Sequence, residues 1–285
     1  MTNAKKNQLK DHLFRAFGIF STLIGIVLLS IFIGSILKIG LSKISWDFIT
    51  GLPSRFAGEA GILTALTGSL WIMVLSAVFS LPIGIGAAIF LEESASEDRW
   101  FRILEINISN LAGVPSVIYG ILGLEIFARI LNMGSSLITG ALTLSLLILP
   151  IVIIATREAL KSVPDSIRQA ALSMGASKWQ TIWYQVLPAS AGGIATGIIL
   201  ALSRAIGEAA PVIVIGALAY VPFVAQSPFD DFTVLPIQIF NWVTRPDPEF
   251  VGNASAGIII LLAITFLFNG IAVFLRYRWQ KKMRW

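Results

Sequence analysis

Residues 157–188 read Arg157-EALKSVPDSIRQAALSMGASKWQTIWYQVL-Pro188. Two short helices are written into this stretch. Ser162-x-x-Asp165, with Pro164 in the first turn, predicts a capping-box-like start. Ile167, Ala170, Ala171 and Met174 then fall at i, i+3, i+4 and i+7, the spacing of one helix face. Gly175 suits a left-handed stop. Ser177-x-x-Gln180 predicts a second capping box, opening a helix that sets Trp179, Ile182, Trp183 and Val186 on one face. Pro188 marks the start of the next apolar run. A short helix with an Ala-Ala face and a glycine turn suits docking into a groove of a partner. The competing reading, strongest for the second helix, is a helix lying on lipid and anchored by its tryptophans. A DNA-reading helix-turn-helix is disfavoured, because the two helices carry only Arg168 and Lys178 to meet phosphates.

Outward from this loop the chain is overwhelmingly apolar. Of 285 residues 56% are hydrophobic and only 13% charged, and the mean hydropathy is +0.82. Soluble domains carry about 25% charged residues. Zero cysteines exclude a disulfide scaffold, thiolate metal sites and cysteine catalysis, and a single histidine, His12, leaves no zinc pair and makes a Ser-His machine an unpromising reading. A polytopic membrane protein remains. A bilayer core of ~30 Å needs about 20 apolar residues per helix. Charge-free runs of that order are Ala16–Leu37, Ala60–Leu91, Ile106–Leu124, Ile130–Thr156 and Val251–Leu275, and another opens at Val186. The last of these runs on from Ala189 with only Arg204 and Glu208 charged before Phe229. It is read as one span to about Leu218, followed by an external segment broken by Pro222, Pro228 and Pro236, in preference to a hairpin of two spans. The expectation is an all-α membrane protein with six transmembrane helices. The first apolar run is too long for a signal-peptide core and is taken as an uncleaved helix.

Charge sidedness supports six. With both termini on one side, 15 of the 21 Lys+Arg fall on that side, five (Lys38, Lys43, Arg55, Arg129, Arg245) on the other, and Arg204 inside the membrane. Both termini are therefore cytoplasmic. Glu92-Glu93 and Glu97-Asp98 fall in a cytoplasmic loop and read as a solvated face, with partner contact second. The basic tail, residues 276–285, suits anionic lipid.

Gln169-Ala-Ala-x-x-x-Gly175 followed by Leu187-Pro188 resembles the EAA loop of ABC importer permeases, departing from it with Gln169 in place of glutamate and Gln185 in place of isoleucine. Leu111-AGVPSVIY-Gly120, Arg204-AIGEAA-Pro211 and Leu235-PIQI-Phe240 together resemble the phosphate permeases of that family, the A-type subunit more than the C-type. The resemblance covers about residues 60–275. It implies the MetI-like transmembrane fold, with residues 1–60 forming the cytoplasmic N-terminus, a peripheral first span and an external segment. Residues 61–275 would form a core of five helices carrying coupling loop 157–188, and residues 276–285 the tail. It implies an ATP-driven importer of phosphate in a bacterial or archaeal inner membrane. Sulfate or molybdate is the alternative substrate, and an ion-coupled secondary transporter the more distant one. Implied partners are an ATP-binding cassette ATPase dimer, a second, PstC-like permease subunit and an extracytoplasmic phosphate-binding protein received by segments 38–60 and 219–250. In such permeases the loop docks on the ATPase, which casts Ile167, Gln169, Ala170, Ala171, Met174 and Gly175 as coupling residues.

The sequence agrees with an engine supplied from outside: no Gly-Lys dipeptide exists, so there is no Walker A loop, and no cofactor or metal is expected on this chain. Arg204 and Glu208 are the candidates for the substrate path. A central arginine costs about 2.5–3.5 kcal/mol on insertion scales and usually faces a bundle interior or an aqueous route. A guanidinium offers an anion both charge and a fork of donors, with Glu208 orienting or gating it. A structural ion pair locking helices is the alternative. Gly113, Pro115 and Gly120 read as close packing first and as a moving gate wall second.

Overall fold

The computed structural model describes residues 3–94, 99–217 and 220–282. In chain order its helices are α1 (Asn3–Gly40), α2 (Trp46–Thr50), α3 (Leu63–Ile89), α4 (Arg99–Leu111), α5 (Ser116–Gly123), α6 (Leu137–Lys161), α7 (Asp165–Ser173), α8 (Lys178–Thr181), α9 (Leu187–Ile206), α10 (Ala210–Ile215), α11 (Leu235–Val243) and α12 (Phe250–Lys282). Wider π turns extend α3 through Phe90–Ser94 and α5 through Leu124–Ile130, and join α8 to α9 through Ile182–Val186. Five helical stretches are each long and apolar enough to cross a membrane, and the bent pair Arg99–Leu111 and Ser116–Ile130 supplies a sixth crossing.

α6 is the axis of the bundle. Leu137, Leu144, Ile148 and Val152 are sealed from solvent along it. α3 packs on one side, where Gly84 lets Val152 approach and Ser76 Oγ donates to the Ala141 carbonyl at 3.0 Å. α9 packs on another through a small-residue crossing: Gly193 lies on Ala159 and Gly197 on Ala155, one turn apart on each helix. In lipid no hydrophobic force drives helices together, so this backbone-to-backbone approach is what their contact rests on. α1 touches the rest mainly at its outer end, where Ile36 and Gly40 are buried and Gly40 meets Ser255 and Ala256 of α12. Between Leu13 and Phe32 its large apolar side chains are exposed. On the outer face Phe48, Ile62, Trp242 and Phe250 close a separate core, with the Phe48 and Trp242 rings 5.7 Å apart. There α11 is seated on α3: Ser69 Oγ accepts the Leu235 N–H at 2.8 Å, and Gly68 meets the Thr233 carbonyl.

Three expectations need correction. The third crossing is not one helix over Ile106–Leu124: α4 and α5 meet at 101°. Gly113 and Pro115 sit in that joint, and Tyr119 Oη closes it by donating at 2.8 Å to the Leu111 carbonyl, which also accepts the Val114 N–H at 3.1 Å. The fifth span stops at Ile206 rather than near Leu218; α10 is separate and ends at Gly216 in the left-handed region (φ 97°). The cytoplasmic loop also starts later than its sequence suggests. Ser162 ends α6 and donates to the Ala159 carbonyl, and α7 begins at Asp165 after Pro164. Glu97, Asp98 and the last residues of the basic tail lie outside the described residues.

Candidate functional site

Two charged regions distinguish themselves. The first surrounds α7. Its C-terminus is built as the glycine foretold: Gly175 (φ 86°) donates to the Leu172 carbonyl and Ala176 to that of Ala171, the paired bonds of a Schellman stop. Ser177 and Gln180 form the expected reciprocal capping box, at 2.8 and 3.2 Å. The face foreseen for the second helix splits, because α8 runs through a π turn into α9. Ile182 and Val186 are buried, while Trp179 and Trp183 are exposed and stack edge to face at 5.7 Å.

No residue of α7 is buried. Ile167 leans against the Leu160, Val163 and Val186 cluster. Ile167, Ala170, Ala171 and Met174 then line one wall of an open groove of about 510 Å³, with Gln180, Tyr184 and Gln185 opposite. Gln169 and Gly175 are exposed and Met174 is 89% exposed. Four of the six loop residues singled out in the sequence, Ile167, Ala170, Ala171 and Met174, thus line one groove, whereas Gln169 and Gly175 are exposed but do not line it.

Sequence reasoning missed what secures this surface. Glu92 and Glu93, read as solvated, are largely enclosed. Arg168, with 18% of its side chain exposed, meets Glu93, with 9%, at 2.8 Å. Its Nη1 also donates to the Val163 carbonyl at 2.6 Å and its Nη2 to that of Leu160 at 2.9 Å. Burial works against the Arg168 charge, but the Glu93 carboxylate outweighs it and the guanidinium pKa is raised. Beside it Arg157 meets Glu92 at 3.3 Å and Glu105 of α4 at 2.9 Å. The partners lie 65 and 75 positions apart for Arg157–Glu92 and Arg168–Glu93, so the only sequence signal was two acids and two arginines on one side of the membrane.

The second region is the outer end of α9. Arg204 lies about 24 Å along the helix from Pro188 at 1.5 Å per residue. It occupies the last turn, where the helix dipole favours a cation. Glu208 lies past the helix end, in the link to α10, so the two do not share a face of one unbroken helix. Arg204 Nε and Glu208 Oε1 are 3.4 Å apart, with 50% and 19% of the side chains exposed. A single long contact to a half-exposed guanidinium is a weak lock. Glu208 borders a cavity of about 10 Å³ with Ser69, Ile72 and Val212, room for about one water and no more. α5 packs at the same level, with Tyr119 against Ala201 and Ala205. Gly120 lies against Pro211 and Val214, close enough that a methyl group would clash at 2.7–2.9 Å, so its place in the fold is packing. At Gly113, in the α4–α5 joint, an added methyl group would meet the Asn110 carbonyl at 3.4 Å, an ordinary contact.

The profile of the family described as "Binding-protein-dependent transport system inner membrane component" matches residues 80–281. The "Probable ABC transporter permease protein YqgI" of Bacillus subtilis is 30% identical, over 88% of this chain and 90% of its own length. The "Phosphate transport system permease protein PstA" of Mycobacterium leprae is 35% identical, over 80% and 74%. Among solved structures, a bacterial alginate ABC transporter chain superposes with TM-score 0.68 at 16% identity, covering 96% of both chains. A chain of the MetNI methionine ABC transporter gives TM-score 0.63 at 15%, covering 76% of this chain and 95% of its own. The fold is therefore the MetI-like one.

Proposed function

We propose, from the premise that this chain belongs to the family of binding-protein-dependent transport system inner membrane components, that it is the A-type permease subunit of an ATP-driven phosphate importer. It crosses the inner membrane six times and forms half of the translocation path. A sister, C-type permease forms the other half, a binding protein delivers phosphate to the outer face, and a separate ATPase dimer does the chemical work on the inner face. The chain itself handles neither ATP nor magnesium.

The observation that carries this reading is α7. A nine-residue helix that has no fully buried residue, ends on a left-handed glycine and offers an alanine-lined groove is a surface prepared for a partner. Its place between the cytoplasmic ends of α6 and α9 links that partner to two spans. The substrate end follows from Arg204. A phosphate bears one to two negative charges and must cross a low-dielectric layer. A guanidinium with one long contact among the described residues has donors left for it. Glu208 orients the fork, and withdrawal of that contact as the anion arrives would let it pass. Relatives at about 30–35% identity that are named as phosphate permeases support phosphate over other oxyanions.

The test is phosphate uptake in cells carrying and lacking the chain, with sulfate and molybdate as competitors. Uptake that depends on the chain and is displaced only by phosphate is expected. Displacement by sulfate or molybdate would move the reading to that anion.

A further inference from the structure

α7 buries no residue fully and leans on its neighbours' apolar cluster through Ile167, so polar contacts must add to what holds it. One side chain does most of that work. Arg168 joins α7 to the π turn that ends α3, through Glu93, and to the end of α6, through the carbonyls of Leu160 and Val163. A fourth contact, to Asp165 at 3.2 Å, stays within α7. Next to it, Arg157 ties the same π turn to α4 through Glu92 and Glu105. The Phe90–Ser94 turn is thus a junction: two adjacent acids, each taken by an arginine from a different element. Charge-assisted bonds of this kind are shorter and stronger than neutral ones, and the planar fork of an arginine fixes direction as well as distance. A helix tethered this way cannot shift without pulling on α3 and α6.

We propose that Arg168 and Glu93 are a positioning pair: a clasp, closed throughout the transport cycle, that passes displacement of α7 into the spans α3 and α6. The proposal rests on the reading of α7 as the ATPase-docking helix. Neither residue meets substrate or nucleotide. They act by making the docking helix and two membrane helices move as one body, with the groove beside α7 left free for the partner.

The experiment uses the whole complex in liposomes, with phosphate and ATP, and reads phosphate accumulated per ATP hydrolysed. Glu93→Gln keeps the shape and one acceptor but removes the charge. Arg168→Lys keeps the charge but removes the fork. In both, the ATPase is expected to co-purify as before while phosphate moved per ATP falls about tenfold, within the usual range of coupling between sites. The chain has no cysteine, so the double variant Glu93→Cys, Arg168→Cys introduces an isolated thiol pair. It is expected to be uncoupled when the thiols are free and to regain coupling when a bis-maleimide adds both thiols across its double bonds and bridges the two positions. A purely structural role would not produce that rescue. Normal coupling in both single variants, or a bridged pair that stays uncoupled, overturns the clasp. A wild-type chain that holds no ATPase overturns the docking reading, and the clasp with it.

Discussion

The two charged regions of this protein use the same residue types to opposite ends. At the cytoplasmic face Arg168 is largely enclosed and saturated, with a carboxylate at 2.8 Å and two backbone carbonyls at 2.6 and 2.9 Å. At the outer end of α9, Arg204 is half exposed and has one polar contact among the described residues, at 3.4 Å. A saturated guanidinium has nothing left for a ligand, whereas an undersaturated one does. Satisfaction of donors, more than depth or charge, separates a fastening from a binding group.

The largest effect should come from the open region. Arg204→Ala is expected to reduce phosphate uptake to background while the complex still assembles, with a small change in thermal stability because the pair has a single long contact among the described residues. Normal uptake in that variant would remove Arg204 from the substrate path. Arg168→Ala should do the reverse in thermodynamic terms. It leaves Glu93 enclosed without its partner, at a cost of about 3–5 kcal/mol, read as a lower unfolding temperature in detergent. A stability change as small as that of Arg204→Ala would erase the distinction. Gly197→Val is a neutral control between the two regions: it overfills the α6–α9 crossing and should cost about 1–3 kcal/mol without touching either charge pair.

The smallest effect is a pH response confined to the outer face. Backbone N–H groups of Ser227 and Gln226 donate to Asp230 and hold its carboxyl below the ordinary 3.8. Because the folded-state value is the lower one, this contribution is complete above pH 3.8 and is lost only as pH falls through that lower value. Amide protection at Gln226 and Ser227, taken relative to the intrinsic exchange rate at each pH, should therefore be steady from neutral pH down to about 4 and fall below it, with Asp230→Asn showing the reduced protection throughout. A change near pH 6 would point to a different group.

Much of the architecture was legible in order. Long apolar runs fixed six crossings, and the uneven spread of lysine and arginine oriented them, because both signals depend on composition alone. The stop at Gly175 and the box at Ser177–Gln180 came out as read, since caps are satisfied within a few residues. The fifth span did not: apolar residues continue past Ile206, and hydropathy does not register a helix end that turns inside apolar surroundings. Gly207 and Pro211 were the available signs of it. The third span was misread for the same reason, although Gly113-Val-Pro115 lies in its joint.

The sequence alone determined what is local: which segments are helical, which are lipid-soluble, which side each loop faces, and where a short Ala-Ala helix ends on glycine. Tertiary structure alone decided the fate of the charges. Whether Glu93 met water or Arg168 depended on how α3 and α6 packed across 75 residues of chain, and whether Arg204 was locked or left open depended on where α9 broke. Helical periodicity and transfer free energy act over neighbouring residues. Pairing of charges acts through space, and only the packed bundle supplies the distances.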